Sequence, residues 1–243
     1  MRKLLVLICS LFLSGVLFAK DVKVVTLEWQ PFCGQTEGKN IHVEIAKAAF
    51  KAAGHNMKLT VVPWKRAMEE SKEGKHDAIA CAWHSAERQA IYHLVGTKVS
   101  NVSVMFKRKS DKISFDGDYK KLKKYKVGAV SGFAYPKGFK EAGFTLDYSN
   151  SDEFNLKKLV AKRVDLFFQD KIQILNMIKE KLTPAEAAGI DYVEGNLPKQ
   201  ELFVGFAKSL PGSKKLSEEF AKGMKIIEAS GELTKILKSY GIN

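Results

Sequence analysis

Asp77-Ala-Ile-Ala-Cys-Ala-Trp-His-Ser-Ala-Glu-Arg88 is the stretch on which the fold turns. Residues 78–82 are small and apolar without interruption, which suits a strand buried on both faces. Trp83 and His84 stand where that strand runs out. Ser85 is placed to cap a new helix, and Glu87 falls in its positive first turn. Arg88 lies one turn in, close enough to the strand end to reach a crevice. In open parallel sheets, ligands bind outside the carboxyl ends of the strands. An Arg there is an always-charged fork matched to a carboxylate. An Arg at a helix start, paired with a surface acid, is the plainer alternative.

Upstream, residues 22–27 are rich in valine and predict a strand. It ends in Glu28-Trp-Gln-Pro-Phe-Cys-Gly34, where Pro31 and Gly34 break it. Ile41, Ile45, Ala48, Ala49 and Ala52 recur at helical spacing, and Gly54 closes the helix. A second strand over 57–62 stops at Pro63. Trp64 follows directly, then a helix over 65–73 capped by Gly74. This β-α-β-α-β order with short links implies a parallel sheet with right-handed crossovers.

Downstream, 102–106 is a further strand, and 107–124 is polar and basic around an Asp116-Gly-Asp118 turn. A second series then begins. A strand at 127–130 leads into Ser131-Gly-Phe-Ala-Tyr135 and a helix over 136–141. A strand at 145–148, a helix at 153–162 and a strand at 164–168 follow, the last ending at Gln169-Asp170. A helix at 172–181 and a strand at 190–193 complete the series. A strand at 202–207 and helices at 213–230 and 232–239 finish the chain. Two strand–helix series, each small by itself, predict an α/β protein of two lobes around a cleft. Each lobe is expected to be a mostly parallel sheet flanked by helices. Residues 20–104 with 205–243 form the first lobe and 105–204 the second. The strands at 102–106 and 202–207 are the two hinges.

The ends and the bulk composition place the chain outside the cytoplasm. Arg2 and Lys3, an apolar run over 4–13 and the small Ala19 have the order of a cleaved secretory leader. Leader residues 1–19 are expected to leave a mature, monomeric, periplasmic protein beginning near Lys20. No later run is long and apolar enough to span a bilayer. The formal charge of +13 lies largely in helix-like lysine runs that suit a solvated surface. It comes with no nucleic-acid recognition motif, so no nucleic-acid partner is expected. Cys33 and Cys81 survive cleavage, and an oxidising compartment favours a bridge between them. Both close or follow strands of one lobe, so their ends should lie side by side, although geometry can still forbid the bond. Cys81 with His84 and His93 lacks the fourth ligand of a zinc site, and neither metal nor other cofactor is expected.

Several separate pieces resemble one family, the bacterial extracellular solute-binding proteins of family 3. These are amino-acid receptors of ABC importers with the type II periplasmic binding protein fold. The pieces are Trp29-Gln-Pro-Phe32, Pro63-Trp-Lys-Arg-Ala67, Gly74-Lys-His-Asp-Ala78, Ser85-Ala-Glu-Arg88, Val127-Gly-Ala-Val-Ser-Gly132, Val164-Asp-Leu-Phe-Phe-Gln-Asp170 and the closing Gly231-Glu-Leu and Tyr240-Gly241. Each is short, but their order and spacing together cover the mature chain.

The resemblance implies a small-molecule ligand, a zwitterion clamp and an importer permease as partner. Arg88 matches the residue that grips the ligand's α-carboxylate, and Asp170 the acid that holds its ammonium. Trp29 and Trp64 match the aromatic walls. Gly132 and Phe133 match the start of a second-lobe helix whose N–H groups face the carboxylate. Trp83 and Phe133 stand where relatives carry small hydroxyl residues, which narrows the pocket. Arg66 and His84 add positive character nearby, so an acidic or unusual small ligand also fits. Alternatives remain at each position. The aromatics suit a core, and Asp170 suits a helix cap. Two other functions share this fold. One is a periplasmic cyclohexadienyl dehydratase, for which Glu28 and Asp170 are the available acids. The other is a sensing module docked to a receptor.

Overall fold

The computed structural model describes residues 20–195, 197 and 199–242. The leader over 1–19 and its Cys9 lie outside the described residues. The first half of the chain runs β1 (Lys20–Thr26), α1 (Ile41–Ala52), β2 (His55–Val61), α2 (Trp64–Lys72), β3 (Ala78–Trp83), α3 (Ala86–Ile91), β4 (Tyr92–Asn101) and β5 (Ser103–Arg108). The second half runs β6 (Lys126–Val130), β7 (Thr145–Ser149), α4 (Asp152–Val160), β8 (Leu166–Asp170), α5 (Lys171–Lys181), α6 (Pro184–Ala188), β9 (Ile190–Val193), β10 (Gln200–Ala207), α7 (Ser213–Ala229) and α8 (Glu232–Ser239).

The strands form two sheets of five, in the orders β2-β1-β3-β10-β4 and β7-β6-β8-β5-β9. Within each sheet four strands run in one direction and one runs against them, β10 in the first sheet and β5 in the second. Each sheet is therefore mostly parallel in strand direction, as the sequence suggested, with one reversed strand that makes it mixed. The reversed strands are the two that arrive from the other sheet: β5 follows β4 directly and β10 follows β9, with no crossover helix between, and antiparallel pairing needs none. The passage into the second sheet is Val102, between β4 and β5, and the return follows β9 and precedes β10. Neither β4 nor α6 is legible in the sequence pattern. Gly96, Thr97 and Lys98 interrupt the alternation of β4, which is held by its length of pairing with β10.

Patterning explains the layers. β3 is buried at every position, as a central strand covered on both faces requires. In β8 the side chains alternate: Leu166 and Phe168 join the larger core while Phe167 faces the smaller one under α4 and α5. The larger core runs through both lobes, from Val24 and Phe50 to Phe139 and Phe168.

Against the first sheet α7 packs on α1, and Gly223 makes that approach possible. A Cβ at Gly223 would lie 2.0 Å from the Ala49 carbonyl oxygen. Elsewhere in a helix, Gly to Ala gains up to about 1 kcal/mol. Here the helices must separate, and overpacking costs about 1–3 kcal/mol. Gly223→Ala should therefore lower the urea midpoint; a raised midpoint would show that α7 shifts freely.

The helix expected over 136–141 does not form. Gly132 turns the chain with φ +79°, and only a short 3-10 turn, Lys140–Ala142, follows. Gly138 explains this, because its φ of +87° puts a left-handed residue inside the expected helix. Tyr135 instead stacks on Phe139 at 4.4 Å and accepts a hydrogen bond from the Val130 N–H.

Candidate ligand-binding cleft

β3 delivers the cleft's first wall. The pairing of β3 with β10 shifts register around Cys81, whose φ is +61°. Such a bulge re-aims the side chains beyond it. Cys81 is joined to Cys33, with the two Cα atoms 6.4 Å apart, and this fixes the Trp29 turn against the strand end. That turn closes on itself: the Trp29 and Cys33 N–H groups donate to the carbonyl oxygens of Cys33 and Trp29. Trp29 then packs edge-on against Trp83 at 6.1 Å. His42 lies beside the bridge, its Nδ1 3.7 Å from Cys33 Sγ, and burial pushes its imidazole down to about 3. Cys33, His42 and Cys81 bring ligand atoms within 4.8 Å of one another, but the two sulfurs are spent on each other.

Ser85 caps α3 by accepting from the Arg88 N–H. The Arg88 side chain turns inward and is 5% exposed. Its guanidinium donates to the Trp83 carbonyl at 3.0 Å and the Gly132 carbonyl at 3.4 Å, and sits 5.0 Å from the Trp64 ring centroid. No carboxylate pairs with it among the described residues. Burial lowers its guanidinium pKa to about 10, which leaves it charged at neutral pH. Trp64 Nε1 also donates to the Gly132 carbonyl, at 2.9 Å. Gly132 thus faces the first lobe with an acceptor, where a helix N-terminus would have offered donors. The sequence expectation at Gly132 and Phe133 is corrected on this point, because the left-handed Gly132 turns its carbonyl toward the cleft.

Trp29, Trp64, Trp83, Arg88 and Phe133 converge on one chamber, together with Cys81, Leu27, Ala134 and Gln169. Its volume is about 30 Å³, room for no more than a couple of water molecules. Beside Arg88, Trp29 lines it with a buried Nε1 that has no acceptor. Arg66 is drawn off to Glu70 at 2.7 Å, and His84 contacts Gln89.

Asp170 stands behind this chamber. It is fully buried, its Oδ1 accepts from the Gln173 N–H at the start of α5, and its Oδ2 accepts from Asn101 Nδ2. Asn101 also accepts from Trp83 Nε1 at 2.9 Å. It therefore links a wall of the first lobe to an acid of the second, one residue before the chain crosses at Val102. Nothing in its local sequence marks Asn101 except its position between two strands. Gln169, rather than Asp170, reaches the chamber wall, and it donates to Asp152.

Burial pushes the carboxyls of Asp152 and Asp170 up to about 6, against the amide donors that favour ionisation. A carboxyl raised in the folded state binds protons more tightly there than in the unfolded chain, near 3.9. Its contribution to stability is complete below about pH 4 and is lost as pH rises through about 6. The buried neutral His42 acts in the opposite sense on acidification, so a difference between variants isolates the acid. Asp152→Asn should be more stable than the parent at pH 7–8, with the advantage vanishing by about pH 4. Gln173 Oε1, free of any donor, can accept from the new amide. A constant difference in urea midpoint across that range would contradict the assignment.

Two five-stranded mixed sheets with a lined chamber between them define a two-lobed type II periplasmic binding protein. The chain belongs to the bacterial extracellular solute-binding proteins, family 3, which it matches over residues 22–243. Among solved structures, an ancestral arginine-binding protein bound to arginine superposes with a TM-score of 0.73 at 20% identity, covering 90% of this chain and 96% of its own. The arginine-, lysine-, histidine-binding protein ArtJ of Geobacillus stearothermophilus gives 0.75 at 19%, covering 91% and 96%. A histidine kinase sensor domain with similarity to periplasmic binding proteins gives 0.75 at 16%, covering 90% and 93%. At these identities the likeness establishes the fold. No curated protein matches the chain.

Proposed function

We propose that the protein captures a small carboxylate-bearing solute, an amino acid or related zwitterion, between its lobes in the periplasm and delivers it to an ABC importer. Arg88 is the observation that carries this reading. It is a buried, charged guanidinium whose hydrogen-bond partners among the described residues are carbonyls alone, and Trp29, whose buried Nε1 has no partner, lines the same chamber. Both groups ask for an anionic acceptor, and a bidentate carboxylate answers the guanidinium best. The aromatic rings of Trp29, Trp64, Trp83 and Phe133 supply the walls of a small-solute site. The ligands bound by the neighbouring structures, arginine among them, agree with an amino acid.

The site works by binding and closure. Trp64 and Arg88 both hold Gly132 across the lobes, and a solute carboxylate would replace that carbonyl as the anchor of Arg88. Admission of a solute then requires the lobes to part about the passage at Val102, a hinge motion. Asp170 is fully buried and bonded to Asn101 beside the passage at Val102, so an amine contact there would be coupled to the hinge. Native mass spectrometry of protein purified from the periplasm tests the reading. One bound molecule of a carboxylate-bearing solute per chain is expected. A saturating solute without any acidic group would overturn it.

A further inference from the structure

Beside the Arg88 chamber lies a group of reactive side chains that solute capture does not use. Cys33, His42 and Cys81 are all buried, and their ligand atoms lie within 4.8 Å of one another. His42 is the member the fold leaves unexplained. It is fully buried in the first turn of α1, its Nε2 has no partner, and its Nδ1 makes only a long contact of 3.7 Å to Cys33 Sγ. A buried polar group without a good partner is unfavourable. An apolar side chain would serve the core better at this position, so the imidazole points to a ligand's role.

The frame around these groups does not depend on the bridge. The Ile41 and His42 N–H groups donate to the carbonyl oxygens of Pro31 and Phe32, which ties the start of α1 to the turn carrying Cys33. Cys81 belongs to β3, a strand buried throughout and flanked by β1 and β10. A dithiol reductant opens the Cys33–Cys81 bond by giving up two electrons and two protons; two thiols remain here and the reductant leaves as its own disulfide. Tetrahedral zinc, with metal–sulfur bonds of about 2.3 Å and metal–nitrogen bonds of about 2.0 Å, sets sulfur and nitrogen about 3.5 Å apart and two sulfurs about 3.8 Å apart. The 3.7 Å between Cys33 Sγ and His42 Nδ1 already answers the first spacing. The second asks the freed sulfurs to draw back by less than about 2 Å, a matter of side-chain rotation. Charge selects the ion. Two thiolates and a neutral imidazole balance a divalent cation in full, whereas a monovalent soft cation would leave a net negative charge buried.

We propose that the reduced protein binds one zinc ion through Cys33, His42 and Cys81, and that the ion then ties the Trp29 turn to β3 as the bridge does in the oxidised protein. Binding releases the two thiol protons and keeps a fourth position for water. The site is closed while the sulfurs are bonded to each other and opens on reduction. Cys81 lines the Arg88 chamber, so the ion has its way in through the cleft.

The test uses full-length mature protein reduced with a phosphine, which takes oxygen from water and leaves two thiols without competing for metal. Native mass spectrometry should show one zinc per reduced chain and none on the oxidised chain. X-ray absorption at the zinc edge should show two sulfur neighbours, the rest being nitrogen or oxygen. Zinc should raise the Tm of reduced protein by more than about 4 °C over a chelator-treated sample, since it binds only the folded form. His42→Ala should weaken zinc binding by more than about tenfold, and His42→Phe, which restores the buried ring, should be no better. Absence of stoichiometric zinc on reduced protein, equal uptake by the oxidised form, unchanged affinity in both His42 variants or an unchanged Tm would each overturn the proposal. None of these readouts uses a solute, so failure of the Arg88 reading would leave them as they are.

Discussion

Arg88→Ala should weaken binding of the co-purified solute by about thirtyfold or more. Removing one partner of a desolvated charge pair costs about 2–5 kcal/mol, because the other charge stays buried without its mate, and each 1.4 kcal/mol is a factor of ten. Arg88→Lys should restore little, since an ammonium cannot keep the Trp83 carbonyl and grip a carboxylate with the same planar fork. The solute-free protein should behave differently. There Arg88 is a buried cation with two backbone carbonyls and one aromatic face as partners, and burying a charge without its counter-ion is costly. Arg88→Met should leave the Tm of solute-free protein unchanged or higher, while abolishing the rise in Tm on adding solute. Active sites commonly trade stability for function in this way. A variant that binds fully, or one that unfolds without solute, would each show that Arg88 is a structural residue.

Loss of the Cys33–Cys81 bridge has the second large effect. The bridge closes a loop of 48 residues, for which the chain-entropy relation gives about 4 kcal/mol at 25 °C. For a protein of this size, that corresponds to a fall in Tm of roughly 8–16 °C. Cys33→Ala, Cys81→Ala should show it under non-reducing conditions, and a reductant should bring the parent down to the same level. The bridge also ties the Trp29 turn to the chamber that Cys81 lines, so the double variant should bind solute more weakly as well as melt earlier. A Tm within about 2 °C of the parent would mean that the turn is held by the packing of Trp29, Phe32 and Trp83 alone.

The legible parts of this structure are those where local pattern and tertiary role coincide. Val24 and Val25 in β1, the helical spacing of Ile41, Ile45 and Ala49, and the Ser85 cap before Arg88 all sit where simple periodicity puts them. Arg88 was legible as a cleft residue because a strand end, a cap and a cation occur in one short stretch. β4 was not, because its place depends on pairing with β10, a hundred residues away in sequence, and its own residues are half-buried and broken by Gly96. The 131–139 segment departs from the sequence reading because left-handed Gly132 and Gly138 interrupt the helix start that the resemblance suggested. Asp170 shows a different limit. Its residue type fits both a cap and an ammonium clamp, and only the partner Asn101, drawn from the other lobe, reveals how fully its oxygens are engaged.

A crystal structure of the solute-loaded protein is the most direct test of the central claim, that Arg88 anchors a carboxylate between the lobes. The account predicts a carboxylate about 2.7–2.9 Å from the Arg88 guanidinium, flanked by Trp64 and Phe133, with the Gly132 carbonyl displaced from Arg88. A solute bound elsewhere, with Arg88 still donating to the carbonyls of Trp83 and Gly132, would contradict it.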